Sequence, residues 1–172
     1  MHNTTDLNHQ TSSGEAAKLI PINTLERLDI DFENAGIGGI WVVPDEIDSA
    51  TASPGAYVVC FRLALGITVS LPRLSESRLP SGWYVYVGSA RGNGGIRSRL
   101  KRHFKQEKAP HWHIDRLTVR AHQMAALALV DGDECSLVGK LLGSSQFQVA
   151  LAGFGNSDCR RCESHLLTCA GL

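Results

Sequence analysis

GWYVYVGSARGNGGIRSRLKRHF, residues 82 to 104, changes its period halfway along. Trp83 to Val87 are aromatic or β-branched, side chains that suit a pleated strand. Gly88 ends that run, and Gly92, Gly94 and Gly95 free the following turn from the limits a Cβ imposes. From Ile96 the apolar residues recur every four positions, Ile96, Leu100 and Phe104, which is one buried stripe of a helix. Arg99 and His103, also four apart, share a neighbouring face. Arg91, Arg97, Arg99, Lys101, Arg102 and Lys105 fall here with no acidic residue among them. A tyrosine-bearing strand, a glycine turn and an arginine-rich helix form a seat for phosphate groups.

Outward from this segment, composition narrows the classes. At 172 residues the chain fits one domain with appendages, and 43% apolar content is ordinary for a globular protein. Formal net charge is zero, so attraction to nucleic acid has to come from a local cluster such as 91 to 105. Five cysteines, an odd number gathered mostly near the C-terminus, argue against a secreted disulfide framework. The first residues lack a basic stretch followed by an apolar one, and no run of about 18 apolar residues offers a membrane span. The expectation is a cytoplasmic protein outside the membrane.

In chain order, residues 1 to 17 are rich in Asn, Thr, Ser, Gln and His and are expected to be a disordered leader. Residues 18 to 53 read as an N-terminal extension and linker, with Ile37 to Val43 as a short strand. The domain proper is placed at 54 to 172. Tyr57 to Leu65 and Ile67 to Leu71 read as a hairpin about Gly66, and 72 to 82 as a connection. Residues 111 to 117, HWHIDRL, open a short helix. Gln123 to Val130 is a strand stopped by Gly132, and Glu134 to Leu142 a helix with apolar Leu137, Val138, Leu141 and Leu142. The expected fold is α/β (α+β), a small, mainly antiparallel sheet flanked by helices.

Gly55-Ala56-Tyr57, then Tyr86-Val87-Gly88, then Arg99 on a helix and Glu134 opening another, resemble the GIY-YIG nuclease superfamily. HWHID and GFGNSDCRRCESHL are similar to segments of its Uri-type or DUF123 branch. The resemblance covers residues 54 to 169 and implies a GIY-YIG-like fold and a metal-dependent DNA endonuclease, a phosphodiester hydrolase. It implies that Tyr57 and Tyr86 direct the attacking water, Arg99 holds the scissile phosphate, and Glu134 ligates one Mg²⁺ or Mn²⁺. His103 stands where many relatives have tyrosine, and Ser89 where several carry lysine. Arg91, Arg97, Lys101, Arg102 and Lys105 are expected to contact DNA.

The residues also support this chemistry when read alone. A guanidinium grips two phosphate oxygens and does not titrate away, and a carboxylate is a hard ligand suited to Mg²⁺. A tyrosine with a reference pKa of about 10 acts as a base only where neighbours stabilise the phenolate. Each residue has a plainer role beside the catalytic one. Tyr57 would pack across strands, Arg99 would be a solvated helix charge, His103 would cover a helix end, and Glu134 would sit well on a helix dipole.

Cys159, Cys162 and His165 have C-x2-C-x2-H spacing, which suits zinc if a fourth ligand comes from His111, His113 or Cys169. Three ligands are an incomplete set, and the spacing alone favours reduced thiols beside a strand. Two other functions fit the same residues: a catalytically weak nucleic-acid-binding module on the same fold, or a structural zinc-binding protein whose basic helix meets a protein partner.

Overall fold

The computed structural model describes residues 19 to 71, 74 to 157 and 159 to 172. The leader expected at 1 to 17 lies outside these. In chain order the elements are α1 (Ile22–Asn34), β1 (Ile40–Val42), a 3-10 helix (Pro44–Ser49), β2 (Gly55–Leu63), β3 (Ile67–Leu71) and β4 (Leu74–Leu79). They continue with β5 (Gly82–Ser89), α2 (Gly95–Phe104), α3 (Asp115–Thr118), β6 (Gln123–Val130), α4 (Glu134–Leu142), β7 (Phe147–Val149) and β8 (Leu166–Cys169). Among the described residues, six strands form one sheet in the order β1-β6-β2-β5-β8-β7, every pairing antiparallel. The molecule is a small mixed α/β domain with antiparallel sheets. Among the described residues no helix is long and apolar enough to cross a membrane.

Strand β2 explains why the sheet is covered on both faces. All of it is buried except Arg62, and its side chains alternate between two cores, as the pleat requires. Ala56, Val58 and Cys60 join Leu28 and Phe32 of α1 and Leu137, Val138 and Leu141 of α4 on one face. Tyr57, Val59, Phe61 and Leu63 join Ile96, Leu100 and Phe104 of α2 on the other. A strand buried on both faces reads as a continuous apolar run, as AYVVCF does. Helix α2 follows its sequence stripe: Ile96 and Leu100 are fully buried and Phe104 nearly so.

The hairpin expected at 57 to 71 is corrected. Strand β2 pairs with β5 and β6, and β3 pairs with β4 as a separate two-stranded sheet, Ile67 opposite Leu79 and Val69 opposite Ser77. Part of the stretch read as a connection is therefore strand. Its polar composition, LSESRL, hides a strand held by backbone pairing and by the burial of Leu79.

Candidate metal centre and adjoining pocket

The two tyrosines lie on adjacent strands, where β2 and β5 pair Tyr57 with Gly88 and Val59 with Tyr86. The Tyr57 ring rests on Gly88, and a Cβ there would come 2.3 Å from the Tyr57 hydroxyl, so the register needs glycine. Tyr57 Oη and His103 Nε2 share a hydrogen bond of 2.9 Å, and His103 is completely buried. Helix α2, seated by its apolar stripe, carries the Arg99 guanidinium 4.6 Å over the Trp112 ring. The HWHID segment is folded by Asp115, whose Oδ2 accepts the amides of His111 and Trp112 at 2.9 and 3.0 Å and the Arg102 guanidinium at 2.6 Å. At the start of α4, Asp133 accepts the Ser136 amide at 2.8 Å, capping the helix and placing Glu134 and Cys135 in its first turn.

These elements enclose a cavity of about 420 Å³. Tyr57, Tyr86, Arg91, Arg99 and Glu134 line it, together with the HWH segment. His103 lies beneath, bonded to Tyr57. The other cations named from the sequence go elsewhere. Arg97 donates Nε to the Ala50 carbonyl, Lys101 pairs with Asp48 at 2.6 Å, and Arg102 is held by Asp115. Lys105 is exposed just past the end of α2.

The cavity borders a candidate metal centre, two of whose residues, Cys159 and His165, line it. Cys135, Cys159, Cys162 and His165 bring one ligand atom each to within 4.8 Å of one another. A tetrahedral zinc with bonds to sulfur of about 2.3 Å has edges of about 3.8 Å, so the cluster has the size zinc needs. Cys135 Sγ and Cys159 Sγ are 3.3 Å apart. The amides of Arg161 and Cys162 donate to Cys159 Sγ at 3.4 and 3.3 Å. His165 Nε2 is buried with no hydrogen-bond partner, as befits a nitrogen turned toward an ion. Burial opposes ionisation of Cys159, but the Arg161 amide, the Cys135 thiol, the Cys162 amide and His165 outweigh it and lower its pKa to about 6. Burial and the two neighbouring thiols push Cys162 up to about 12. A divalent cation bound among them would stabilise all three as thiolates. All five cysteines are free thiols.

The fourth ligand is therefore Cys135, and not His111, His113 or Cys169. His111 and His113 line the cavity, while Cys169 is buried in the core on the α1 side of the sheet. The preference for a plain thiol pair is likewise corrected: the structure supplies four ligands where the spacing supplied three. Cys135 was missed because it is 24 residues from Cys159 and reads as an ordinary helix position. Its only sequence signal was a thiol in the first turn of a capped helix.

This centre also corrects the expected activity. Three soft thiols and an imidazole are a closed structural zinc set, unlike the oxygen-ligated Mg²⁺ or Mn²⁺ of a metal-dependent endonuclease. Among the described residues, Glu134 belongs to no group of three or more metal-ligating side chains. Burial, with Tyr86 beside it, pushes the Tyr57 phenol far above its ordinary value, so it is no base at neutral pH. Burial, with Lys108 adjacent, pushes His103 down to about 3 and leaves it neutral. The reading of the chain as a phosphodiester hydrolase, a magnesium-dependent nuclease, is overturned by the Cys3His cluster.

Residues 56–171 match the family model described as Domain of unknown function DUF123. No curated protein and no solved structure matches the chain.

Proposed function

We propose that this chain, which belongs to the DUF123 family, is a zinc-stabilised nucleic-acid-binding module that does not hydrolyse its ligand. The observation that carries this reading is the four-ligand set of Cys135, Cys159, Cys162 and His165, two of which, Cys159 and His165, line a basic, aromatic cavity. Four protein ligands saturate a tetrahedral zinc and leave no position for a substrate, so the ion's work is to hold α4, the 159 to 165 segment and β8 together. When bound, zinc supplies cross-linking of these segments and charge for three thiolates; everything else falls to the chain's own residues. Arg99 and Arg91 offer charge to a phosphate, with Arg99 pre-oriented by its stacking on Trp112. Tyr86, Trp112, His111 and His113 supply the flat, polar-edged surfaces that sugars and bases pack on.

The same reading takes the fold as GIY-YIG-like, supported by the adjacent tyrosines on β2 and β5 and by Arg99 on the helix that follows. It takes 54 to 172 as the module, and 18 to 53 as an extension packed on it. Free thiols and a zinc set suit a reducing compartment, so the cytoplasm remains our proposal for its location.

The test is a titration of labelled single- and double-stranded DNA with zinc-loaded protein, with cleavage followed in Mg²⁺, Mn²⁺ and EDTA. The expected result is salt-dependent binding, weakened in Arg99→Ala, and uncut DNA in all three conditions. Binding that ignores Arg99→Ala, or metal-dependent cleavage, contradicts the reading. Stoichiometric zinc with no affinity for DNA points to the remaining function, a zinc protein that meets a protein partner.

A further inference from the structure

The turn that supplies two of the zinc ligands is Cys159-Arg160-Arg161-Cys162. The amides of Arg161 and Cys162 both fold over Cys159 Sγ. Two residues stand between the two sulfurs. Both are arginines and both are exposed. Among the described residues, Arg161 pairs with Asp133 Oδ1 at 3.6 Å, and the two side chains are 73% and 42% exposed. The Arg161 guanidinium also interacts with the Cys135 thiol, and its exposure keeps these pairings weak enough to exchange for a phosphate.

Their position suggests a use. Cys159 lines the cavity together with Ser157, His165 and Glu134, while Arg91 and Arg99 lie in its lining from the β5–α2 turn and from α2 itself. The turn that carries Arg160 and Arg161 therefore begins at a residue of the lining to which Arg91 and Arg99 also belong.

We propose that the Cys159–Cys162 turn is the second half of the nucleic-acid-binding surface. Arg160 and Arg161 contact backbone phosphates neighbouring the one held at Arg99, and zinc holds them where they can. This rests on the reading of the cavity as a nucleic-acid site and extends it to a strand that runs across the cavity and over the metal turn. Two consequences follow. A strand is gripped more tightly than a mononucleotide, because only a strand reaches both sets of arginines. Zinc and strand binding are also linked, each strengthening the other by the same factor.

The experiment compares the zinc-loaded full chain with Arg160→Ala/Arg161→Ala and with Arg99→Ala. Affinity for a fluorescent 15-nucleotide single strand and for a mononucleotide is measured against salt. The double variant should keep its zinc, lose roughly tenfold in strand affinity and flatten the plot of log affinity against log salt by about 1.4, while mononucleotide binding stays unchanged. An unchanged slope in the double variant, with a flattened one in Arg99→Ala, overturns this inference and leaves the cavity reading standing. No binding by the wild type, or no effect of Arg99→Ala, overturns both. A second measurement covers loss of zinc by the double variant: transfer of zinc from the wild type to a colorimetric chelator should slow at saturating strand. An equal rate with and without strand overturns the linkage.

Discussion

Asp115 is completely buried and still charged. Burial raises its pKa, but the amides of Trp112 and His111, the Arg102 guanidinium and the Lys108 ammonium outweigh that and lower it to about 2. A carboxyl whose folded pKa lies below its unfolded value near 3.8 contributes stability above about pH 4, and that contribution is lost as pH falls through about 2. Asp115→Asn keeps the shape and removes the charge, leaving Arg102 and Lys108 without it. Its melting temperature should fall below the wild type's at pH 7, with the gap closing toward pH 2; a gap independent of pH would show that the charge is not what matters. Cys135→Ser leaves only Cys159, Cys162 and His165 at the centre. It should lose zinc to a mild chelator at least tenfold faster than the wild type and melt lower, checked by chelator kinetics and calorimetry. Tyr57, Tyr86, Arg99 and Glu134 were singled out by the order of a family resemblance, since each alone has a plainer packing or surface role, and all four line one cavity. Cys135 was not, because a ligand contributed from a distant helix leaves no spacing to read.

At the scale of elements, the period switch at Gly88 to Gly95 made β5 and α2 readable, since each buries the face its own pattern predicts. Strand β6 and helix α4 were readable for the same reason. Helix α1 was not. Its stripe is thin, with Leu28 and Phe32 as the fully buried pair, and Ile22 and Ile30 stand exposed. Its place comes from the tertiary contacts: Phe32 stacks on Trp41 at 5.7 Å and meets Phe147 at 5.6 Å. Strand β1 then covers the edge of β6. A chain beginning at residue 54 should therefore bare apolar surface around Leu127 and Phe147 and an unpaired edge. Lower thermal stability and aggregation are expected in light scattering, and a monodisperse truncation melting with the full chain would contradict this packing argument. Strands β4 and β7 escaped notice because the first is polar and the second is three residues long.

For the whole molecule, seventeen basic and seventeen acidic residues cancel in the sum but not in space. Acidic residues of the N-terminal segment meet part of the basic helix, as in Asp48 with Lys101, while Arg91 and Arg99 face the cavity. Binding of a strand should therefore weaken with salt although the protein is neutral overall, and Arg99→Ala should reduce the slope by about 0.7 for one phosphate contact. An unaltered slope would remove Arg99 from the interface. The cavity, the metal centre and the sheet are one construction: β2 and β5 hold the tyrosines, α2 holds Arg99, and the zinc ligands fasten α4 to β8. The claim on which this depends is the metal. Metal analysis of the purified protein combined with zinc-edge X-ray absorption tests it most directly. The account predicts one zinc per chain, with three sulfurs at about 2.3 Å and one nitrogen at about 2.0 Å; zinc-free protein from zinc-replete cells, or a metal ligated by oxygen, would contradict it.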